Sequence, residues 1–198
     1  EAERLFGEEA ADQLRLYAAR GGDSDDFVVQ ARREFMDLFK VPGGKYVAPY
    51  ESVYRGSRDI EGAKVKGLLM GRSAVDVQRW YRLGAVEVTE AFRDLPDHIS
   101  LELSYLAHLC AKEREFANDG DDARLRRARE MQRDFLAAHV VCWLGALREK
   151  IHEKSRHLYF RVVADLAVQF AQRDLAALEN LLGRSSGSPV PDYAEVGS

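Results

Sequence analysis

The stretch from Asp97 to Asn118, which reads DHISLELSYLAHLCAKEREFAN, decides the fold class of this chain. Asp97 has the short polar side chain of a helix N-cap, and Asn118-Asp119-Gly120 is a typical helix stop. Between these ends apolar residues recur every three or four positions, as on one face of a helix: Ile99, Leu103, Leu106, Leu109 and Cys110. The stretch therefore predicts a long amphipathic helix with this stripe buried.

Helical periodicity continues on both sides of this stretch, and no segment alternates as a half-buried strand does. The other predicted helices run from about Glu3 to Arg20, from Ser24 or Asp25 to about Lys40, from Ser73 to Gly84, from Val86 to Phe92, across residues 122–153 with a bend near Trp143 to Gly145, from Arg156 to about Gln172, and from Asp174 to Leu182. Ser73 with Asp76 resembles a capping box, and Ser155 is a further candidate N-cap. The fold class is therefore predicted to be all-α, with about seven to nine helices.

Residues 41–72 interrupt this pattern. Two prolines and six glycines in this part predict a long ordered loop with one short helix, and such a loop inside a compact domain is usually functional. At the other end, residues 184–198 form a polar Ser/Gly/Pro tail that we expect to be flexible. Residues 1–183 are expected to form a single domain.

Composition and charge exclude several classes of protein. The 198 residues are 46% hydrophobic and 31% charged, with a net charge of −4, so the chain is globular and lacks the basic surplus of nucleic-acid binders. The sequence contains no run of 18 apolar residues, so it predicts no membrane span. Glu1–Arg4 lack the features of a secretory signal, and two cysteines do not make a disulfide framework. We therefore expect a cytoplasmic protein with reduced, buried thiols.

Metal and nucleotide sites are weakly supported. Glu149-x-x-His152 has the spacing of a di-iron ligand pair, but a di-iron bundle needs that motif twice. A composite zinc site would have to draw on widely spaced residues: His108, Cys110, His139 and Cys142. Gly43-Gly44-Lys45 lacks the remaining residues of a phosphate loop, and no serine or cysteine has a recognisable base partner. We expect no metal, no cofactor and no catalysis.

Five arginines lie close together in one predicted helix: Arg124, Arg126, Arg127, Arg129 and Arg133. They are interleaved with Glu130 and Asp134. The favoured interpretation is a solvated helix face with ion pairs one turn apart, and a nucleic-acid patch is the minority reading.

Two segments place aromatic and polar residues beside proline in connecting regions. One is Pro49–Tyr54, PYESVY, and the other is Leu95–Leu103, LPDHISLEL. Binding residues often occupy such positions because a rigid scaffold holds the connection in place. The structural alternative is a tyrosine-packed loop followed by a capped helix.

Several segments together resemble the TorD/DmsD/NarJ superfamily of redox-enzyme maturation chaperones. The resemblance extends from about Phe35 to Leu182 and rests on EFMDLFKVPGGKYVAPYESVY, VQRWYRLGAVEV, LPDHISLELSYLAHLC, FLAAHVVCWL and YFRVVADLAVQFAQRD. Pro-Asp-His followed by Glu-Leu, with Tyr-Glu-Ser-Val-Tyr upstream, is the most specific part. The region before Phe35 matches poorly.

The resemblance implies a TorD-like helical domain with two lobes and no activity of its own. Its partner would be the twin-arginine leader and apo-form of a molybdopterin oxidoreductase, whose export it delays and whose cofactor insertion it assists. Asp97, His98 and Glu102 match the binding motif of the family. Trp80, Tyr81 and Gly84 match its aromatic groove element, and Glu51 and Tyr54 match its ordered loop.

The residues themselves suit this role, because arginine pairs well with carboxylates and the apolar part of a leader needs an apolar surface. Asp94, Asp97 and Glu102 lie near one helix start and are expected to meet the basic pair. The apolar surface is expected to come from Trp80, Tyr81, Leu103 and Tyr105.

Three alternatives stay open at this point. A NarJ-like assembly factor would serve a nitrate reductase that is not exported. A helical enzyme or nucleotide hydrolase, and a helical transcriptional regulator, belong to other classes. We expect no membrane insertion, and either a monomer or a dimer, with domain swapping as one route to the dimer.

Overall fold

Helices make up most of the chain, as the periodicity predicts, and the fold is all-α. A computed structural model describes residues 12, 15–17, 19, 25–56, 58–60, 63–65, 67, 69–86 and 94–185. The elements are α1 (Asp25–Phe35), a first π-turn (Met36–Lys40), α2 (Glu51–Arg55), β1 (Arg58–Ile60), β2 (Ala63–Val65), α3 (Arg72–Leu83), α4 (Ile99–Asp119), α5 (Asp122–Phe135), a second π-turn (Leu136–Val140), α6 (Val141–Lys154) and α7 (Leu158–Ser185). Within the described residues, none of the helices has the length and apolarity needed to cross a membrane.

The core is a bundle of the four longest helices. Gly120, in the left-handed conformation at φ 68°, ends α4, and the Asp121 carboxylate caps α5 by accepting from Arg124 N. This short connection makes α4 and α5 antiparallel neighbours. α5 and α6 both pack on α7. The largest fully buried apolar side chains of the bundle are Tyr105, Phe135, Leu136, Val140 and Trp143.

The predicted loop contains the predicted short helix and a hairpin that was not predicted. α2 packs against α3 and α6. β1 and β2 pair antiparallel, with Arg58 opposite Val65 and Ile60 opposite Ala63. Gly67 contacts the end of α2 so closely that a β-carbon there would lie 2.1 Å from the Ser52 carbonyl oxygen. A side chain at Gly67 is therefore excluded.

Several predicted helix boundaries are wrong. α3 begins after Gly71 with no side-chain cap, so Ser73 is not an N-cap. His98, and not Asp97, caps α4, because its Nδ1 accepts from Ser100 N. The two C-terminal helices are one, since α7 continues from Leu158 to Ser185. The bend in the helical stretch 122–153 is the second π-turn, a few residues before the predicted position.

The buried face of α4 is also rotated from the predicted stripe. Leu103 is 42% exposed and Cys110 is exposed, whereas Glu102 and Tyr105 are buried beside Leu106 and Leu109. The predicted helix from Val86 to Phe92 and the tail from 186 onward lie outside the described residues. Most of the predicted helix from Glu3 to Arg20 also lies outside the described residues, although the described residues 12, 15–17 and 19 are helical.

Candidate functional site

The two segments that the sequence analysis singled out lie side by side. Glu51 N donates to the Asp97 carbonyl at 3.0 Å, and Ile99 N donates to the Pro49 carbonyl at 3.0 Å. Tyr50 and His98 form an antiparallel bridge between these bonds. The loop 49–52 and the start of α4 therefore form one unit, although more than forty residues separate them along the chain.

Asp97 caps α2 and not its own helix. Its carboxylate is fully buried and Oδ2 accepts from Ser52 N, at the start of α2, at 2.9 Å. An anionic oxygen at a helix N-terminus satisfies a backbone donor that has no partner within the helix. Asp97 thus holds α2 against α4 from a distant position in the sequence.

Two further carboxylates are buried next to Asp97. Glu51, at the first position of α2, and Glu102, in the first turn of α4, are each 0% exposed. We call Glu51, Asp97 and Glu102 the acidic cluster. Among the described residues, neither Asp97 Oδ1 nor Glu102 Oε1 has a hydrogen-bond partner, although both atoms are buried. Such unsatisfied buried acceptors are rare and point to a missing partner.

Side chains from the second π-turn and α6 contact one oxygen of Glu51 and one oxygen of Glu102. His139 Nδ1 lies 3.0 Å from Glu51 Oε2, and His139 Nε2 lies 3.2 Å from Asp76 Oδ2 of α3. Trp143 Nε1 donates to Glu102 Oε2 at 3.1 Å. His139 is fully buried; its Nδ1 faces Glu51 of the acidic cluster, whereas its Nε2, although close to Asp76, makes no hydrogen bond within the described residues.

The ionisation of Glu102 is disfavoured in the folded protein. Burial, followed by the charge of Glu51, raises the pKa of Glu102 well above 4.5, although the hydrogen bond from Trp143 opposes this shift. Removing a carboxylate from water disfavours its charged form, and a neighbouring carboxylate adds repulsion. An approaching cation would lower this pKa again.

The second π-turn explains why His139 reaches the cluster. In a π-turn the backbone bonds span five residues, which widens the helix, and such turns are frequent at functional sites. Here side chains take up the carbonyls of the turn. Arg55 Nη1 and Cys142 Sγ donate to the Ala138 carbonyl at 2.8 and 3.0 Å, and Trp143 Nε1 donates to the His139 carbonyl at 2.6 Å.

The predicted aromatic residues mostly hold helices together. Tyr81 and Tyr105 are buried, and their hydroxyls donate to the carbonyls of Pro96 and Trp80 at 2.8 and 2.7 Å. Tyr54 stacks on Trp143 with ring centroids 5.4 Å apart. Gly84 lies against the Tyr105 ring, where a β-carbon would be 2.6 Å from Cε2. Trp80 and Tyr54 stay partly exposed, so they keep some surface available to a ligand.

Asp94 and His98 lie at the edge of the site. The Tyr50 hydroxyl donates to Asp94 Oδ1 at 2.6 Å, and the other oxygen lies 3.8 Å from His98 Nε2. Burial alone would raise the pKa of Asp94, but the hydrogen bonds from Tyr50 and Leu95 N outweigh it and lower the value. Burial lowers the pKa of His98, which favours the neutral ring that caps α4.

The structure therefore brings together Glu51, Asp97 and Glu102 in the interior, with Tyr54, Tyr81, Gly84 and Tyr105 packed around them and Trp80, Asp94 and His98 at the edge. Leu103 points away from the cluster into solvent. Sequence reasoning missed Arg55, Asp76, His139 and Trp143. His139 had been considered only as a metal ligand, and Asp76 as a capping residue. Within the described residues, no three His, Cys, Asp or Glu side chains are placed to hold a metal ion.

The cysteines and the arginine run are peripheral to the site. Both thiols are free, as expected, but the prediction that they are buried is wrong, because both residues are exposed. Burial of the sulfur near Glu51 nevertheless raises the pKa of Cys142 to about 11. In the arginine run, Arg124 with Asp121 and both Arg126 and Arg127 with Glu130 form ion pairs one turn apart, as predicted. Arg129 instead pairs with Glu113 of α4, and Arg133 pairs with the adjacent Asp134.

Comparison with known proteins gives a line of evidence that is independent of the geometry of the site. A family model described as nitrate reductase delta subunit matches residues 5–149. The chain is 28% identical over 160 residues to the chaperone protein TorD of Vibrio cholerae, a match that covers 81% of this chain and 67% of that protein. It is 32% identical over 121 residues to the selenate reductase assembly chaperone protein of Thauera selenatis, covering 60% of this chain and 55% of that protein.

A third relative, the chlorate reductase assembly chaperone protein of Ideonella dechloratans, is 31% identical over 118 residues, covering 60% of this chain and 55% of that protein. The chain thus spans about two thirds of the Vibrio relative and little more than half of the two reductase chaperones. No solved structure gives a significant match.

Proposed function

Because this chain belongs to the nitrate reductase delta subunit family, and is therefore a redox-enzyme maturation chaperone and not an enzyme, we propose that it binds the twin-arginine leader and apo-form of a molybdopterin oxidoreductase in the cytoplasm. It delays export of this client while the cofactor is inserted. The relatives named as assembly chaperones serve selenate and chlorate reductases, which supports a reductase client.

The observation that carries this proposal is the acidic cluster with its unpartnered oxygens. A twin-arginine leader presents two adjacent guanidinium groups, each with several donors in a rigid plane. Asp97 Oδ1 and Glu102 Oε1 are buried acceptors without a partner among the described residues. A guanidinium that reached them would satisfy both oxygens and would favour the ionised form of Glu102, whose pKa burial and Glu51 raise in the free protein.

The surface above the cluster suits a basic and apolar peptide. Asp76 is half exposed and Asp94 partly exposed, so they present negative charge to solvent on α3 and before α4. Leu83, at the end of α3 next to Gly84, is an exposed apolar side chain that can pack against the apolar part of a leader. Charge steers the encounter, and apolar burial supplies much of the affinity.

The test is calorimetry with the twin-arginine peptide of a neighbouring molybdopterin oxidoreductase. We expect wild type to bind it, and Asp97→Asn and Glu102→Gln to bind about ten- to hundredfold more weakly. One buried charge-assisted hydrogen bond is worth about 1.5–3 kcal/mol, which corresponds to this loss. An exposed ion pair would give under about 1 kcal/mol.

A matched control is Glu113→Gln, the same substitution as Glu102→Gln on the same helix, α4. Glu113 accepts from Arg129 and Gln132, away from the site. This variant should bind like wild type. Thermal melts of each variant are needed because Asp97 also caps α2. If both folded site variants bind as tightly as Glu113→Gln, the leader binds elsewhere. If wild type binds no such leader, the proposed client is wrong.

The description of the matched family favours a second candidate. A NarJ-like assembly factor would bind the N-terminal leader of a nitrate reductase that stays in the cytoplasm, and the family model is named for a nitrate reductase subunit. A leader peptide without the arginine pair distinguishes the two. Equal affinity for both peptides would favour the assembly factor over the export-linked chaperone.

A further inference from the structure

Arg55 already places a guanidinium against the acidic cluster. Its Nη1 atom donates to Glu51 Oε1 at 2.7 Å and to the Ala138 carbonyl at 2.8 Å. Nη1 carries two hydrogens in the guanidinium plane, so both have an acceptor. One acceptor is a fully buried carboxylate and the other is a carbonyl of the second π-turn.

The two acceptors exist independently of Arg55. Glu51 is held in place by His139 on its other oxygen, at 3.0 Å, and by its backbone bond to the Asp97 carbonyl. The Ala138 carbonyl belongs to the second π-turn, and the Cys142 thiol also contacts it. The positions of both oxygens are therefore set by the first residue of α2, the segment before α4, the second π-turn and α6, whereas Arg55 supplies the cation.

This contact lies where the cluster meets solvent. The Arg55 side chain is 45% exposed, while the carboxylate it contacts is 0% exposed. Glu51 is thus buried beneath the guanidinium, and a cation from outside reaches Oε1 by displacing Arg55 without opening the helical core. The exchange replaces one guanidinium by another, so Glu51 is never left without a cation.

We propose that Glu51 Oε1 and the Ala138 carbonyl form a guanidinium subsite, which Arg55 fills in the free protein and vacates when an arginine of the client leader binds. The identity of the client rests on the proposed function, whereas the subsite itself does not. Arg55 competes with the leader from within the chain, which limits affinity and lets the leader be released after maturation.

The first experiment tests the subsite without any leader. Arg55→Ala removes the resident guanidinium, and ethylguanidinium at millimolar concentration is the probe. We expect it to raise the melting temperature of Arg55→Ala by about 2–4 °C, since a ligand that binds only the folded state stabilises it. Ethylammonium, which lacks the planar pair of donors, should have a smaller effect.

Arg126→Ala is the matched control. Arg126 is 44% exposed and pairs with Glu130 one turn further on, as Arg55 pairs with Glu51, but Glu130 lies on the surface. Ethylguanidinium should leave its melting temperature, and that of wild type, unchanged. A shift in Arg55→Ala no larger than in these controls overturns the subsite. Arg55→Met, which keeps an apolar stem, replaces Arg55→Ala if the latter does not fold.

The second experiment measures leader affinity by calorimetry. Removing the internal competitor should make Arg55→Ala bind the twin-arginine peptide about three- to tenfold more tightly than Arg126→Ala, which has the same net charge. Weaker or equal binding would overturn the displacement of Arg55. If ethylguanidinium stabilises Arg55→Ala but no variant binds the leader, the subsite stands and the proposed client is wrong.

Discussion

His139 contacts two carboxylates from different helices while it is fully buried. Nδ1 lies 3.0 Å from Glu51, and Nε2 lies 3.2 Å from Asp76. Its ring also packs against Phe135 and Trp80, with centroids 5.2 and 6.2 Å away. Because an unpaired buried carboxylate is costly, His139 and Arg55 together allow Glu51 to stay in the interior.

We predict that His139→Ala lowers the free energy of unfolding by about 3–5 kcal/mol, because it removes one of the two side chains that pair with the buried Glu51 carboxylate. Adding Glu51→Gln should recover part of the loss. The unfolding free energy of the double variant should then exceed, by about 1–3 kcal/mol, the value expected if the effects of the two single substitutions were added. Urea unfolding of the four proteins measures this coupling.

His108→Ala provides the control for that cycle. His108 is half-buried and contacts the Gly84 carbonyl, away from Glu51. Its combination with Glu51→Gln should be additive within about 0.5 kcal/mol. Additivity of the His139 pair as well would show that the imidazole does not stabilise the carboxylate.

Among the elements, α3 and α4 meet so closely at Gly84 that no side chain fits there. Tyr105 of α4 spans the contact, with its ring over Gly84 and its hydroxyl on the Trp80 carbonyl. This contact positions Trp80 next to His139 and so connects the packing of α3 to the acidic cluster. Gly84 therefore acts through packing and offers no group to a ligand.

We predict that Gly84→Ala destabilises the protein by about 1–3 kcal/mol, since the added methyl group must displace the Tyr105 ring. Gly145→Ala is the matched control, because Gly145 lies inside α6 with no atom within 4 Å of an added β-carbon. That substitution should stabilise the protein by about 0.5–1 kcal/mol through helix propensity. Thermal and urea melts compare the two, and equal effects would contradict the close contact.

At the scale of the whole molecule, the helical bundle encloses polar groups and not only apolar ones. The three carboxyl groups of the acidic cluster come from α2, the segment before α4, and α4, while their partners come from α2, the second π-turn and α6. Folding must bring all of these elements together before any of the charges is satisfied. The stability of the whole protein is therefore expected to depend on pH through this cluster.

We predict that wild type loses stability relative to Glu102→Gln as pH rises from about 5 to about 8. The pKa of Glu102 is raised in the folded state, so the folded chain holds a proton that the unfolded chain releases near its ordinary value of 4.5. This contribution is fully present below the unfolded pKa and is lost as pH rises through the folded pKa. Glutamine does not ionise and lacks this dependence.

Unfolding free energies of both proteins from urea titrations, at about pH 5 and about pH 8, measure this difference. Other groups contribute to the pH dependence of both proteins and cancel in the comparison. A difference that is independent of pH, or that moves in favour of wild type as pH rises, would show that Glu102 is ionised in the folded protein.

The sequence by itself determined the helical fold and the two segments that matter. Periodicity and the stops at Gly84 and Gly120 follow from local rules, because apolar spacing and glycine conformation act within one or two turns. Pro49–Tyr54 and Leu95–Leu103 stood out because they combine proline with polar and aromatic residues, and the structure places them in contact.

Only the tertiary structure decided which polar residues are buried. The apolar spacing along α4 predicts that Leu103 is buried, since leucine is apolar. The folded bundle instead buries Glu102 and exposes Leu103. Glu102 is tolerated because Trp143, 41 residues away, donates to it, and Glu51 because His139, 88 residues away, contacts it. Such partners are absent from any local window of sequence, and a buried charge is stable only once those distant groups have been brought to it.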